Sequence, residues 1–151
     1  MKGLSDKLGR VYFAAPLFTP QERAFNEHLA RQLEQFFHVF LPQRDGQLLP
    51  GKELDSTAYS ALADHVFRTD VEAIRRADTL FAVLDGRTID EGVAVEVGMA
   101  HALEKQCVGF WSDARVLLPH GINPMVRGAI QTLLRSESEF RSWLSNLKKP
   151  K

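Results

Sequence analysis

Thr79-Leu80-Phe81-Ala82-Val83-Leu84, closed by Asp85-Gly86, is the most apolar short run in the chain. It is too brief for a helix, is bounded by a turn signal, and reads as a strand buried on both faces. Before it, Ala58 to Ala77 places Leu62, Val66, Val71 and Ile74 at helical spacing; after it, Asp90 to Lys105 does the same with Val93, Val97, Ala100 and Leu103. A buried strand between two long helices implies parallel pairing through right-handed crossovers.

The same alternation extends in both directions. Val11-Tyr12-Phe13-Ala14-Ala15, stopped by Pro16, reads as a first strand, and His38-Val39-Phe40-Leu41, ended by Pro42, as a second. Between them Thr19-Pro20-Gln21-Glu22 is a capping box with proline at the first helical position, which predicts a helix to about Gln35 with Phe25, Leu29, Leu33 and Phe36 on one face. Cys107-Val108-Gly109-Phe110-Trp111 makes a fourth strand, and a fifth is expected near Ala129 to Leu134. Ser136-Glu137-Ser138-Glu139 introduces a last helix through Phe140, Trp143 and Leu147. Gln43 to Thr57 is polar, holds Gly46, Pro50 and Gly51, and reads as a loop longer than connection requires. The expected fold is α/β: a doubly wound five-stranded parallel sheet, a flavodoxin-like or Rossmann-like three-layer sandwich. It forms a single domain over 1–151 with frayed ends at about 1–9 and 148–151.

A chain of 151 residues is long enough for one core without staples. Nineteen basic residues cancel nineteen acidic ones, so no global charge points to nucleic acid or a membrane surface. The single Cys107 allows no internal disulfide and no Cys/His cluster suggests a metal. With neither a signal-like apolar run at the start nor a stretch long enough to span a bilayer, a reducing cytoplasm is the expected compartment. Neither G-x-G-x-x-G nor G-x-x-x-x-G-K-[ST] occurs, which weakens dinucleotide and triphosphate readings. The absence of G-x-S-x-G does the same for serine hydrolases.

Ligands of such sheets bind at the carboxyl ends of the strands, so the loops after Ala15, Leu41, Leu84 and Trp111 are the candidates. Asp85, Asp90 and Glu96 converge on that edge. Asp85 alone reads as a turn residue and Asp90 as a helix cap, but Glu96 stands among apolar and small residues, Val93-Ala94-Val95-Glu96-Val97-Gly98, where a glutamate snorkels outward or is held for use. Nearness to the helix N-terminus is expected to favour its anion, which suits a nucleophile. Asp70 is ambiguous on pattern, Asn123-Pro124-Met125 reads as a turn, and Phe18 in the first edge loop is open between packing and stacking.

Taken together, Tyr12-Phe13-Ala14-Ala15-Pro16-Leu17-Phe18, the run Asp70 to Asp78, Asp85-Gly86, the pattern D-x-G-x-x-x-E-x-G from Asp90 to Gly98, and Asn123-Pro124-Met125 resemble the nucleoside 2-deoxyribosyltransferase family. The resemblance runs from about Val11 to Ala129. It implies exchange of the base of a 2'-deoxynucleoside for a free base, with no cofactor and no metal. It further implies that Glu96 is the nucleophile, that Tyr12 orients it, and that Asp70 contacts the base and helps protonate it. Asp90 would hold a sugar hydroxyl, Phe18 would pack on the base, and Gln47, or its neighbour Gln43, would read it; Asp85 is grouped with these binding residues. Asn123 and Met125 would complete a neighbour's site in a homo-oligomer, a dimer or a trimer of dimers. The chemistry agrees with what a carboxylate can do at an anomeric carbon: trap an oxocarbenium-like centre and, by two displacements, retain configuration.

Two rivals are weighed against it. Related 2'-deoxynucleoside 5'-monophosphate N-hydrolases place serines where this chain has Asp90 and Asn123, and an anion at Asp90 would repel a phosphate. Arg44 leaves some room for an anionic substrate. A non-catalytic nucleoside-binding domain would not need Glu96, Tyr12, Asp70 and Asp90 together.

Overall fold

The computed structural model describes residues 7–49, 55–115 and 121–147. Five parallel strands, β1 (Arg10–Ala14), β2 (His38–Phe40), β3 (Thr79–Val83), β4 (Gln106–Phe110) and β5 (Thr132–Leu134), lie in the order β2-β1-β3-β4-β5. That is the flavodoxin-like order of a doubly wound sheet, with its switch point between β1 and β3. Register follows the apolar runs, with Tyr12 opposite Leu80 and Phe81 opposite Val108.

Alternation along the buried strands feeds two cores. Val11, Phe13, Phe81, Val83, Val108 and Phe110 face one layer, made by α1 (Pro20–Leu33) and α6 (Glu137–Ser145), where Leu29, Leu33, Phe140 and Leu144 pack. Tyr12, Ala14, Leu80, Ala82 and Cys107 face the other, made by α3 (Ser56–Arg76), α4 (Glu91–Ala102) and α5 (Pro124–Ala129). Gly109 of β4 is needed for this closeness, since a Cβ there would stand 2.9 Å from Leu84 Cδ1 and 3.2 Å from both Ile130 Cγ2 and Leu133 Cδ1.

Two elements differ from the sequence reading. Pro42–Asp45 is a short helix, α2, where a loop is expected from Gln43, and Pro124–Ala129 is the helix α5, where Asn123-Pro124-Met125 reads as a turn. Both begin with proline at the first helical position, and both are too short to show a helical period. Part of the expected Gln43–Thr57 loop, residues 50–54, lies outside the described residues, as do the expected frayed ends at 1–6 and 148–151. Among the described residues no helix is long and apolar enough to cross a membrane.

Candidate active site

The loop after β1 is held by polar groups from the start of α1. Thr19 Oγ1 accepts from Glu22 N at 3.1 Å, and Glu22 Oε2 accepts from Thr19 N at 2.8 Å, completing the capping box. The same Glu22 oxygen accepts from Phe18 N at 2.9 Å. Arg23 Nη1 donates to the carbonyls of Leu17 and Phe18 at 2.9 and 3.1 Å. Asn26, only 2% exposed, donates from Nδ2 to Pro16 O at 2.9 Å and to Gln43 Oε1 at 3.0 Å. Gln43 Nε2 closes the network on Arg23 O at 2.9 Å. Backbone from Pro16 to Phe18 is therefore clamped from one helix face, and α2 is tied to the same clamp. None of Arg23, Asn26 or this role of Gln43 stands out in the sequence. The available signal is positional: residues 22, 23 and 26 share a face of α1 beside the apolar stripe of Leu29 and Leu33.

This clamp forms one wall of a cavity of about 400 Å³. Ala15, Leu17 and Phe18 line it from the β1 loop, Pro42, Gln47, Leu48 and Leu49 from the segment after β2, Val66 and Asp70 from α3, and Asp90, Gly92, Val93 and Glu96 from the start of α4. It opens at the switch point, where doubly wound sheets bind ligands. Tyr12, buried in β1, donates its hydroxyl to Glu96 Oε1 at 2.6 Å. Phe40 stacks on the Tyr12 ring, centroids 5.7 Å apart, and fixes its plane. Asp90 caps α4, accepting from Val93 N at 3.1 Å through Oδ2, while still lining the cavity.

Burial decides the ionisation of these groups. Glu96 is pushed up to about 7, chiefly by desolvation; the Tyr12 bond pulls it down, and the nearby charges of Asp70 and Asp90 add to the rise. Asp70 is raised to about 6 by burial. Tyr12 is raised far above its ordinary range by burial and by the carboxylates facing it, so its hydroxyl remains a donor. The expectation that helix position keeps Glu96 anionic is corrected here. Glu96 lies beyond the first turn of α4, where the dipole's influence has faded, and desolvation outweighs it.

The remaining candidates fall elsewhere. Asp85 does not line this cavity: its Oδ1 accepts from Ser112 N at 2.6 Å and Asp113 N at 2.9 Å, and its Oδ2 from Ser112 Oγ at 2.8 Å, so it locks the β3 loop to the β4 loop. Asp113 returns the contact by accepting from Gly86 N at 3.2 Å. Asn123 caps α5 through Met125 N at 2.9 Å and lines a separate cavity of about 360 Å³ with Gly86, Ala94 and Trp111. Met125 is 84% exposed and lines neither cavity, whereas Phe18, 72% exposed, stands at the mouth of the first. Arg44 is turned away, paired with Glu34 at 2.7 Å and Asp45 at 3.0 Å. Among the described residues no cluster of three or more His, Cys, Asp or Glu side chains is arranged to hold a metal ion.

A sequence model of the nucleoside 2-deoxyribosyltransferase family matches residues 11–142. The chain belongs to that family. No curated protein sequence matches it significantly. Among solved structures, a conserved protein from Enterococcus faecalis V583 is 27% identical with a TM-score of 0.70, the match covering 90% of this chain and 96% of that one. The 2-deoxyribosyltransferase of Bacillus psychrosaccharolyticus is 24% identical with a TM-score of 0.67, covering 92% of each chain. A CMP N-glycosidase from Clostridium botulinum is 21% identical with a TM-score of 0.59, covering 90% of this chain and 98% of its own. The last two share the deoxyribosyltransferase fold, one a transferase and the other a glycosidase, so membership of this enzyme family fixes the fold more narrowly than the reaction.

Proposed function

We propose that this chain is one nucleoside 2-deoxyribosyltransferase domain that exchanges the base of a 2'-deoxynucleoside for a free purine or pyrimidine. The observation that carries the reading is the 2.6 Å bond from Tyr12 to Glu96 beside Asp70 and Asp90 in a cavity of about 400 Å³. A Glu96 oxygen attacks the anomeric carbon as the C1'–N bond breaks, and Asp70 passes its proton to the departing base. The incoming base then attacks C1', the bond to Glu96 breaks, and the base's proton returns to Asp70. Two inversions retain configuration and require ping-pong kinetics. Asp90 holds a sugar hydroxyl, Phe18 packs on the base at the cavity mouth, and Gln47 reads its edge, since Gln43 is engaged by Asn26 and Arg23.

Charge supports a neutral substrate over a nucleotide. Among the described residues three carboxylates line the cavity and Arg23 is the one cation, its guanidinium tied to the Leu17 and Phe18 carbonyls. A homo-oligomer is supported by what the chain leaves uncovered: Tyr59 and Phe67 on α3, Val95 on α4 and Met125 on α5 are all exposed. In such an assembly Asn123 and Met125 reach a neighbour's site.

The test is incubation with deoxyadenosine and free cytosine, followed by separation of the products. Deoxycytidine, absent with Glu96→Ala, is the expected result. Deoxyribose 5-phosphate released from a deoxynucleoside monophosphate, with no exchange, would replace this reading by the monophosphate N-hydrolase. Undiminished nucleoside affinity with no turnover in either assay would point to a binding domain.

A further inference from the structure

A larger cavity, about 680 Å³, lies between the β1–β2 edge of the sheet and α3, and shares no lining residue with the cavity that holds Glu96. Its apolar floor includes Val39 and Phe40, the ring that stacks on Tyr12. Its rim carries Arg10 and His38 from the strand side and His65 and Arg68 from α3. Three further charged lining residues are already paired: Arg76 and Glu72 with each other at 2.6 Å, and Asp45 with Arg44 at 3.0 Å. The guanidinium groups of Arg10 and Arg68 have no partner among the described residues. The catalytic reading uses none of these side chains except Phe40, which acts there only as the support of Tyr12.

We infer that this groove is a second binding site, for a nucleoside monophosphate, separate from the cavity that holds Glu96. The volume suits a ligand of that size, the floor offers Phe40 and Val39 to a flat heterocycle, and the two unpaired guanidiniums offer forked donors to a phosphate. Charge complementarity also separates the two sites: among the described residues the Glu96 cavity is lined by three carboxylates, which repel the anion that the groove attracts. A bound nucleotide would rest against the ring that positions Tyr12, one contact from the Tyr12–Glu96 bond.

The inference does not depend on the reaction proposed above, and binding to the whole chain tests it directly. Titration calorimetry with adenosine 5'-monophosphate should give saturable binding at one site per chain, unchanged by excess deoxyadenosine and retained in Glu96→Gln. The exposed pair Arg10→Glu with Arg68→Glu should weaken it at least tenfold, while Arg75→Glu, outside the groove, should not. Inorganic phosphate alone should bind at least tenfold more weakly, for want of a heterocycle. The inference is overturned if the nucleotide does not bind, if deoxyadenosine displaces it, if the double variant binds it unchanged, or if phosphate binds as tightly. It is also overturned if binding vanishes as chains associate, because a second copy then fills the groove.

Discussion

Tyr12→Phe isolates one bond. The phenol donates to Glu96 at 2.6 Å and is the one contribution pulling that carboxyl down against burial, Asp70 and Asp90. Phenylalanine keeps the ring and its stack on Phe40, so packing changes little. A hydrogen bond to a charged group is worth about 1.5–3 kcal/mol, and at about 1.4 kcal/mol per pKa unit its loss raises Glu96 by about one to two units. From about 7 in the wild type, the carboxyl should move to about 8 or 9. If Glu96 must be anionic to attack, kcat/KM falls by about tenfold per unit at pH values below both midpoints. At pH 6 the variant should therefore be about ten- to a hundredfold slower, and the deficit should shrink as pH rises towards about 10. The assay is exchange from deoxyadenosine to cytosine over that range, with products separated by chromatography. A uniform loss at every pH, with the acid limb unmoved, would refute the reasoning: Tyr12 would then position Glu96 without setting its ionisation.

Asp70→Asn should shift the same limb the other way, because it removes a negative charge that raises Glu96; it should also cost most turnover with the most basic leaving groups, which pH profiles and a leaving-group series would measure. Glu96→Gln should abolish exchange yet stabilise the fold at alkaline pH. The native carboxyl holds its proton to about 7 against an ordinary 4.5, so its stability contribution is complete below 4.5 and is lost as pH rises through 7, a difference of about 3 kcal/mol that urea melts at pH 5 and pH 8 would resolve. Asn26→Ala should cost about 1–3 kcal/mol by leaving Pro16 O and Gln43 Oε1 without their donor, and should raise KM through Phe18 and Gln47 while leaving the pH midpoints in place. A shifted acid limb in that variant would mean the clamp reaches Glu96.

Strands were legible where apolar runs end at proline or glycine, and so was their parallel direction, because each long helix between them demands a parallel crossover; their order β2-β1-β3-β4-β5 came from the structure. The four groups that meet, Tyr12, Asp70, Asp90 and Glu96, were legible only as a set, since each alone has an ordinary explanation. Three things were hidden for identifiable reasons. Arg23 and Asn26 sit on a polar helix face that resembles a solvated one until Pro16, Leu17 and Phe18 fold over it. Asp85 belongs to the sheet edge as expected, but its partners Ser112 and Asp113 come from the next strand's loop, which sequence proximity does not reveal. The ionisation of Glu96 depends on desolvation, a sum over the whole surrounding fold, and a local argument from helix position gives the wrong sign.

The strain of placing three carboxylates around one cavity has a use in the proposed reaction. In the resting site, Asp70 and Asp90 raise Glu96 because nearby like charges in a desolvated space destabilise one another. As the glycosidic bond breaks and Asp70 gives its proton to the base, positive charge develops on the sugar ring, and the Asp90 and Glu96 carboxylates gain an attractive partner where they had only repulsion. Stabilisation therefore grows from ground state to transition state, as catalysis requires, instead of binding both equally. Replacing Asp90 by Asn tests this separately from proton transfer. The amide can still cap α4 and hydrogen-bond a hydroxyl, so substrate affinity should change little while the rate of forming the glycosyl enzyme falls. An equal loss in affinity and rate would assign Asp90 to sugar binding alone.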